Sequence, residues 1–334
     1  MSADPEVRVQ EEAEEEYLRL HRWMCTAKAL DDRMHMLVRQ GRAPFVGSAR
    51  GHEGIQVSAA AAIDGPADWL VPHYRGLGSA VARGLTPREW MLAVFAKAGD
   101  PLTAGRNIPG GCFGSARLRI ATVSQVVASW LPKAAGIAYA SKVTGDGGVA
   151  MCTFGDGATS KGDFHEAMNF AGVHRLPVVF VCENNGWAIS VPLRLQAGNP
   201  DLAVRAAGYG MPGVVVDGTD VAACWTACQE AVARARAGEG PTFVEARIWR
   251  INAHTSEDNQ ARYRTPEEIE EAAGHDPLVR FEAWLAARGW LTHRDAKAVQ
   301  EECEREAAEA ADWAEAQPDP RPEDLATNVW AVEG

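Results

Sequence analysis

Long apolar runs, surplus positive charge and paired cysteines are all missing from this sequence. No stretch approaches the roughly 20 apolar residues needed to cross a bilayer as a helix. Lys and Arg number 33 against 45 Asp and Glu, a net charge of −12, which argues against non-specific binding to nucleic acid or to an anionic membrane surface. The seven cysteines are odd in number and scattered. Cys224 and Cys228 lie four apart on a predicted helix, but no second pair completes a zinc site. Buried, reduced thiols in a cytoplasmic protein are therefore expected. The opening MSADPEVRVQEEAEEEYLRL has neither the apolar segment of a secretion signal nor the Arg-rich character of a transit peptide. The chain has 334 residues and 46% of them are hydrophobic, enough for a substantial core and too much for general disorder.

Residues 1 to about 16 are polar and acidic, with a frayed start expected. Apolar spacing from Leu18 to Leu37 predicts a helix over about 14–39. Residues 41–53 read as a loop, followed by helices near 55–63, 76–83 and 87–97. The stretch from 99 to 128 (beginning GDPLTAGRNIPGGCFGSARL) is rich in Gly, Pro and Ser, and a loop this long inside a domain predicts a functional border. Further on, Val149–Phe154, Leu176–Cys182, Gly213–Val216 and Thr242–Trp249 read as strands. Helices are predicted over 160–174 and 221–237. Strands alternating with helices, with near-continuous Val and Phe, predict an α/β fold: a parallel sheet covered by helices on both faces. From Pro266 the chain is helical, acidic and Ala-rich, with a Pro-rich break at 317–322. The expected division is an N-terminal tail and helix (1–40), an α/β domain (41–275) and a C-terminal helical extension (276–334).

The most informative segment is FGDGATSKGDFHEAMNFAGVHRLPVVFVCENNGWAIS, residues 154–190. Gly155-Asp156-Gly157 falls where a strand is predicted to end and a helix to begin. Glycines there let backbone N–H groups approach an anion, and a helix start adds a positive dipole end. Asp156 alone would repel a phosphate, so a cation between them is called for. The next strand ends in Glu183-Asn184-Asn185, and Asn185 follows Asp156 by 29 positions. Ends of adjacent parallel strands lie side by side, so Asp156, Asn185 and a backbone carbonyl such as that of Trp187 can share one Mg²⁺ with phosphate oxygens. A GDG turn alone would read as an ordinary strand end; oxygen ligands on both tips favour a metal–diphosphate site. A nicotinamide fold would instead want G-x-G-x-x-G opening a helix and an acidic residue about twenty positions on, and the GDG segment lacks that spacing.

GDG followed about thirty residues later by NN resembles the thiamine-diphosphate fingerprint. Its flanks resemble the alpha subunits of the 2-oxo acid dehydrogenases, most of all the branched-chain type, from about Gly51 to Trp290. The resemblance implies a thiamine-diphosphate-binding fold with helical N- and C-terminal extensions, and the cofactors thiamine diphosphate and Mg²⁺. It implies thiamine-dependent oxidative decarboxylation of a branched-chain 2-oxo acid with acyl transfer to a lipoyl group, in branched-chain amino acid catabolism. Tyr74 and Arg75 match residues that hold the diphosphate, as do Gly155, Asp156, Gly157 and Ala158. Gln125 and Val127 match the pyrimidine contacts, Val127 as the wedge under the bent coenzyme. His254, in RINAHTSEDNQARYR, matches the histidine that contacts the diphosphate and assists acyl transfer. On the residues alone, Tyr74-Arg75 could be a surface pair, His254 an exposed loop histidine and Val127 a core valine.

The sequence also departs from the family pattern. Glu183 stands where branched-chain relatives often have an Arg beside the phosphates. Trp130 and Val126 replace residues of a potassium site, so none is predicted. The Ile108–Gly111 loop lacks a His, and Thr255 takes the place of a regulatory phosphoserine without the rest of that setting. The carboxylate that activates the coenzyme is not found in this chain, and the family places it on a beta subunit. The implied partners are therefore that beta subunit, in an alpha2-beta2 heterotetramer, and a lipoyl-bearing dihydrolipoyl acyltransferase, with no nucleic acid or membrane. Ala167 and Ala171 would permit close packing on a symmetry mate or against the sheet. A pyruvate or acetoin enzyme, or a non-catalytic assembly subunit, are the alternatives.

Overall fold

Strands and helices alternate along the chain. The computed structural model describes residues 5–327, with side chains from Glu11 onward. In order these are α1 (Pro5–Arg39), α2 (Glu53–Ala61), β1 (Trp69–Val71), α3 (Leu77–Ala82), α4 (Pro87–Val94), α5 (Trp130–Thr144), β2 (Ala150–Gly155), α6 (Gly162–His174) and β3 (Val178–Asn184). A hairpin of β4 (Trp187–Ala188) and β5 (Val191–Pro192) follows, then β6 (Gly213–Asp217), α7 (Val221–Arg236), β7 (Thr242–Arg247), α8 (Pro266–Ala273), α9 (Pro277–Ala287) and α10 (His293–Glu315). The five main strands form one parallel sheet in the order β1-β2-β3-β7-β6.

Side-chain alternation along the strands divides the core in two. Met151, Val179, Val181, Val244 and Ala246 face one cluster, with Ile55 and Val57 of α2 and Cys224 and Cys228 of α7. Their neighbours Cys152, Phe154, Val178, Phe180, Cys182 and Phe243 face the other, with Leu131 and Ala138 of α5 and Phe164 and Met168 of α6. Every residue of β3 is buried, which is why its sequence shows no polar alternation. The same parity turns Glu183 toward α2.

Helix α10 carries small buried residues at helical spacing, Ala296, Cys303, Ala307, Ala310 and Ala314, and these let it pack closely on α1. Arg22 reaches from α1 to Glu302 and Glu306 at 2.6 and 2.9 Å. These exposed pairs contribute only tenths of a kcal/mol; the apolar seam does most of the holding. Capping boxes start α4 (Thr86 with Glu89) and α8 (Thr265 with Glu268). No helix of the described residues is long and apolar enough to cross a membrane.

Several sequence expectations need correction. Helix α1 begins at Pro5 rather than near residue 14, so of the expected frayed start only residues 1–4 lie outside the described residues. The α-helix after GDG begins at Gly162; a 3-10 turn over Asp156–Ser160 precedes it. The anion-facing helix start expected directly behind Gly155 is therefore a tight turn. Helix α5 and strand β1 were not anticipated. Ala167 and Ala171 are buried, 2% and 0% exposed, among α5, α6 and the sheet, the helix–sheet packing that was one of the two expectations for them. All seven cysteines are buried and none forms a disulfide.

Candidate functional site

A cavity of about 480 Å³ opens at the carboxyl ends of β1, β2, β3 and β7, where parallel α/β sheets place their ligands. Tyr74, Arg75, Gln125, Val127, Gly155, Asp156, Gly157, Ala158, Asn185, Trp187 and His254 all line it. So do Phe45, His52, His73, Trp130, Lys161, Ala188, Ile189 and Thr255, which sequence reasoning did not single out as lining residues.

Gly155 pairs with Glu183 across β2 and β3, so Asp156, one residue beyond that pair, and Asn185, two beyond it and just past the end of β3, both reach the cavity. Asp156 is 1% exposed. Its Oδ2 accepts from Gln196 Nε2 at 3.1 Å, while Oδ1 is buried without a well-formed hydrogen bond among the described residues. Burial pushes its pKa up to about 6, against the lowering effect of Gln196 and nearby backbone N–H groups. An added Cβ on Gly157 would sit 2.8 Å from Ala188 Cβ, so only glycine lets the turn close against the hairpin. An orphaned buried carboxylate oxygen beside an amide oxygen is a hard-oxygen donor set that fits a divalent cation.

The opposite wall is built from loops after β1 and β7. Arg75 is buried; its guanidinium donates to the Ser48 and His254 carbonyls and lies 3.1 Å from His254 Nδ1. Because a guanidinium only donates, His254 Nδ1 accepts, and the ring proton sits on Nε2. Burial first, then Arg75 and Arg250, push the His254 pKa down to about 3, so the ring is neutral. Tyr74 packs edge-on against it with centroids 6.2 Å apart.

Behind the strand tips lies a polar cluster. Glu183 is fully buried, with His52 Nδ1 at 2.7 Å, Gln56 Nε2 at 2.9 Å and His73 Nε2 at 3.0 Å. Burial alone would raise its pKa; His73 and His52 reverse that and hold it well below the usual carboxylate range. The expectation that Glu183 replaces an Arg beside the phosphates is thus corrected. Strand parity turns its side chain away from the GDG turn and onto α2. Trp130, 1% exposed, stacks near His73 and donates to the Thr153 carbonyl at 2.9 Å, tying α5 to β2. Gln125 donates to the Gly111 carbonyl at 3.0 Å, so the IPGG loop carries the segment that bears Val127.

The β4–β5 hairpin has a support of its own. Ile189 sits at φ 55°, uncommon for a β-branched residue, and its carbonyl accepts from the buried Arg250 at 2.9 Å. Arg250 also donates to Tyr263, which bonds Asp258, which in turn accepts from the His254 backbone N–H. The loop after β7 therefore holds both the hairpin and His254. An Arg and a Tyr flanking the quoted His loop were the available signal.

The family model described as "Dehydrogenase E1 component" matches residues 21–323, and the chain belongs to that family, which implies thiamine diphosphate as coenzyme. Over 318 residues it is 43% identical to the 2-oxoisovalerate dehydrogenase subunit alpha of Bacillus subtilis (strain 168), covering 95% of this chain and 96% of the relative. It is 38% identical to the 3-methyl-2-oxobutanoate dehydrogenase subunit alpha of Mycobacterium tuberculosis (strain CDC 1551 / Oshkosh), covering 98% and 86%. It is 34% identical to the mitochondrial 2-oxoisovalerate dehydrogenase subunit alpha of Homo sapiens, covering 95% and 71%.

Proposed function

We propose that this chain is the alpha subunit of a branched-chain 2-oxo acid dehydrogenase, a 3-methyl-2-oxobutanoate dehydrogenase (2-methylpropanoyl-transferring) acting in the cytoplasm. The observation that carries the reading is the buried carboxylate of Asp156, whose Oδ1 has no well-formed hydrogen bond among the described residues, in a strand-exit cavity shared with Asn185 and His254. Asp156 and Asn185 side chains and the Trp187 carbonyl hold Mg²⁺. The backbone of Gly155, Gly157 and Ala158, with Tyr74 and Arg75, would hold the diphosphate of thiamine diphosphate beside that cation. Gln125 and Val127 face the pyrimidine end.

When bound, thiamine diphosphate supplies the electron sink that lets a 2-oxo acid lose carbon dioxide. The chain's own contribution is to hold and orient. His254, neutral with its proton on Nε2, offers a single donor to the reacting end of the cavity. Arg75 fixes that tautomer from behind. Among the described residues none supplies a carboxylate toward the pyrimidine end of the cavity, so a beta subunit completes the site in an alpha2-beta2 assembly, and a lipoyl-bearing acyltransferase takes the acyl group. An apolar groove between α5 and α6, with Phe170 and Val173 at 40% and 69% exposed, supports coverage by another chain.

The decisive experiment assays the chain, reconstituted with its beta partner, on 3-methyl-2-oxobutanoate and on pyruvate with a lipoyl acceptor. At least about a tenfold preference in kcat/KM for the branched substrate is expected, the scale of discrimination a pocket gains from a few methyl groups. A preference for pyruvate would overturn the substrate assignment. Thiamine-dependent turnover by the chain alone would overturn the two-subunit reading.

A further inference from the structure

We propose that Glu183, His52 and Asn185 form a directional hydrogen-bond relay that fixes which atom of the Asn185 amide faces the cation, making Glu183 and His52 positioning residues. The proposal rests on the reading of Asn185 as a metal ligand and deepens it. An asparagine amide has nearly the same shape in either orientation. With the oxygen inward it binds a cation; flipped, it presents an NH₂ group and repels one.

The orientation follows from one backbone group. Trp187 N–H lies 3.0 Å from Asn185 Oδ1, and because a backbone N–H can only donate, the atom it meets is oxygen. Asn185 Nδ2 is then the atom 3.2 Å from His52 Nε2, so Nε2 accepts. A neutral imidazole with one accepting nitrogen carries its proton on the other, and His52 Nδ1 lies 2.7 Å from Glu183 Oε2. Glu183 closes the relay because an ionised carboxylate only accepts. It is held in turn by Gln56 Nε2 at 2.9 Å, and Gln56 is fixed by the Gly78 N–H on its Oε1 at 3.0 Å.

Each member therefore has one allowed direction. A protonated His52 would have no lone pair for Asn185. A neutral residue at 183 would remove the acceptor that selects the Nδ1–H tautomer. A carboxylate behind an imidazole also strengthens the far nitrogen as an acceptor, the device by which outer groups orient metal ligands. Here the imidazole acts one step further out, on an amide rather than on the metal. Gly51 makes the placement of His52 feasible: it sits at φ 91°, and a Cβ there would lie 1.9 Å from the Trp249 carbonyl oxygen, so α2 starts directly against the loop after β7.

A simple buried polar cluster would look similar, so the test compares two replacements in the full-length chain assembled with its partner subunit. His52→Gln keeps the relay's direction, donating from Nε2 to Glu183 and accepting at Oε1 from Asn185. His52→Leu can do neither. The readout is the Mn²⁺ dissociation constant in the presence of thiamine diphosphate, followed by the paramagnetic resonance of free Mn²⁺. His52→Leu should weaken Mn²⁺ by about 10- to 100-fold, the usual cost of losing an outer-shell partner, and His52→Gln by less than about threefold on that same scale. In an Asn185→Asp background, where either oxygen serves the metal, the His52→Leu penalty should shrink below about threefold, because the pair is coupled.

Equal weakening by Gln and Leu would overturn the relay, as would a leucine penalty that persists undiminished in the Asn185→Asp background. So would a second equivalent of metal lost with His52→Leu, since His52, His73 and Glu183 would then be ligands themselves. His52→Ala replaces the leucine variant if that one does not fold. If the wild-type assembly binds no Mn²⁺, or Asp156→Asn binds it as tightly as wild type, the underlying metal reading fails; if wild type binds and His52→Leu matches it, only the relay fails.

Discussion

Asp156 and Glu183 stand at the tips of neighbouring strands, both buried, and their surroundings treat them in opposite ways. Glu183 has two imidazoles and an amide around it and is held well below the usual carboxylate range. Asp156 has neutral donors, Gln196 and nearby backbone N–H groups, and a pKa that burial drives up to about 6. Removing a carboxylate from water costs several kcal/mol unless donors or charges compensate. At Glu183 the fold supplies that compensation from α2 and the loop after β1. At Asp156 it supplies less, which fits the cation proposed there.

The contrast breaks most visibly through Glu183. Glu183→Ala removes the acceptor for His52 and Gln56 in a fully buried place, and should cost about 3–5 kcal/mol. Urea unfolding measures it, and a loss under about 1 kcal/mol would mean the cluster is no more than surface-like. Asp156→Asn should do the reverse. It removes an uncompensated charge, so stability without metal should hold steady, while magnesium-dependent binding of thiamine diphosphate should fall at least 100-fold, or about 2.7 kcal/mol. Titration calorimetry with and without Mg²⁺ checks this; retained binding sinks the assignment. Gly157→Ala probes the turn shape instead. Its Cβ has only 2.8 Å to Ala188 Cβ, so an overpacking cost of about 2 kcal/mol is expected, together with weaker coenzyme binding. A variant as stable as wild type by thermal unfolding would show that the hairpin yields freely.

What the sequence revealed follows from where information is local. The strands β2 and β3 were legible because runs such as VVFVC are buried on both faces and flanked by turns. Asp156 and Asn185 were legible because adjacent parallel strands put their tips side by side. Helix α5 was missed because WLPKAAGIAYASKVT is small and apolar on most sides and carries a Pro in its first turn, giving little amphipathic contrast; its Gly145 cap at φ 72° was the overlooked signal. Strand β1 is only three residues long. His52, His73 and Glu183 come from three separate segments, and no spacing rule connects them. Glu183 was set beside the phosphates by its position in the family pattern, whereas the period-2 alternation of a strand assigns 183 by its parity with 179 and 181 to the α2 side.

A third buried carboxylate sharpens the comparison with a smaller effect. Glu53, 1% exposed, accepts from the Gly51 N–H at 2.7 Å and pairs with Arg50 at 2.8 Å. Burial nevertheless pushes it up to about 7, with Asp276 and Asp31 adding to the rise and Arg50 opposing it. One guanidinium, shared with Asp276, and one backbone N–H compensate less than the two imidazoles and the amide around Glu183. The sign follows from linkage: a pKa above its ordinary 4.5 means the folded state binds more protons, so this group's contribution is complete below about pH 4.5 and is lost as pH rises through about 7. Glu53→Gln removes the titration. The stability of wild type relative to this variant should therefore fall between pH 4.5 and 7.5, by on the order of 1 kcal/mol once Arg50 is allowed for. Paired urea unfolding curves across that range measure the difference directly, because titrations common to both proteins cancel. A difference that stays flat, or rises with pH, would place Glu53 with Glu183, whose partners outweigh burial, and leave Asp156 as the one carboxylate among these three whose pKa burial raises.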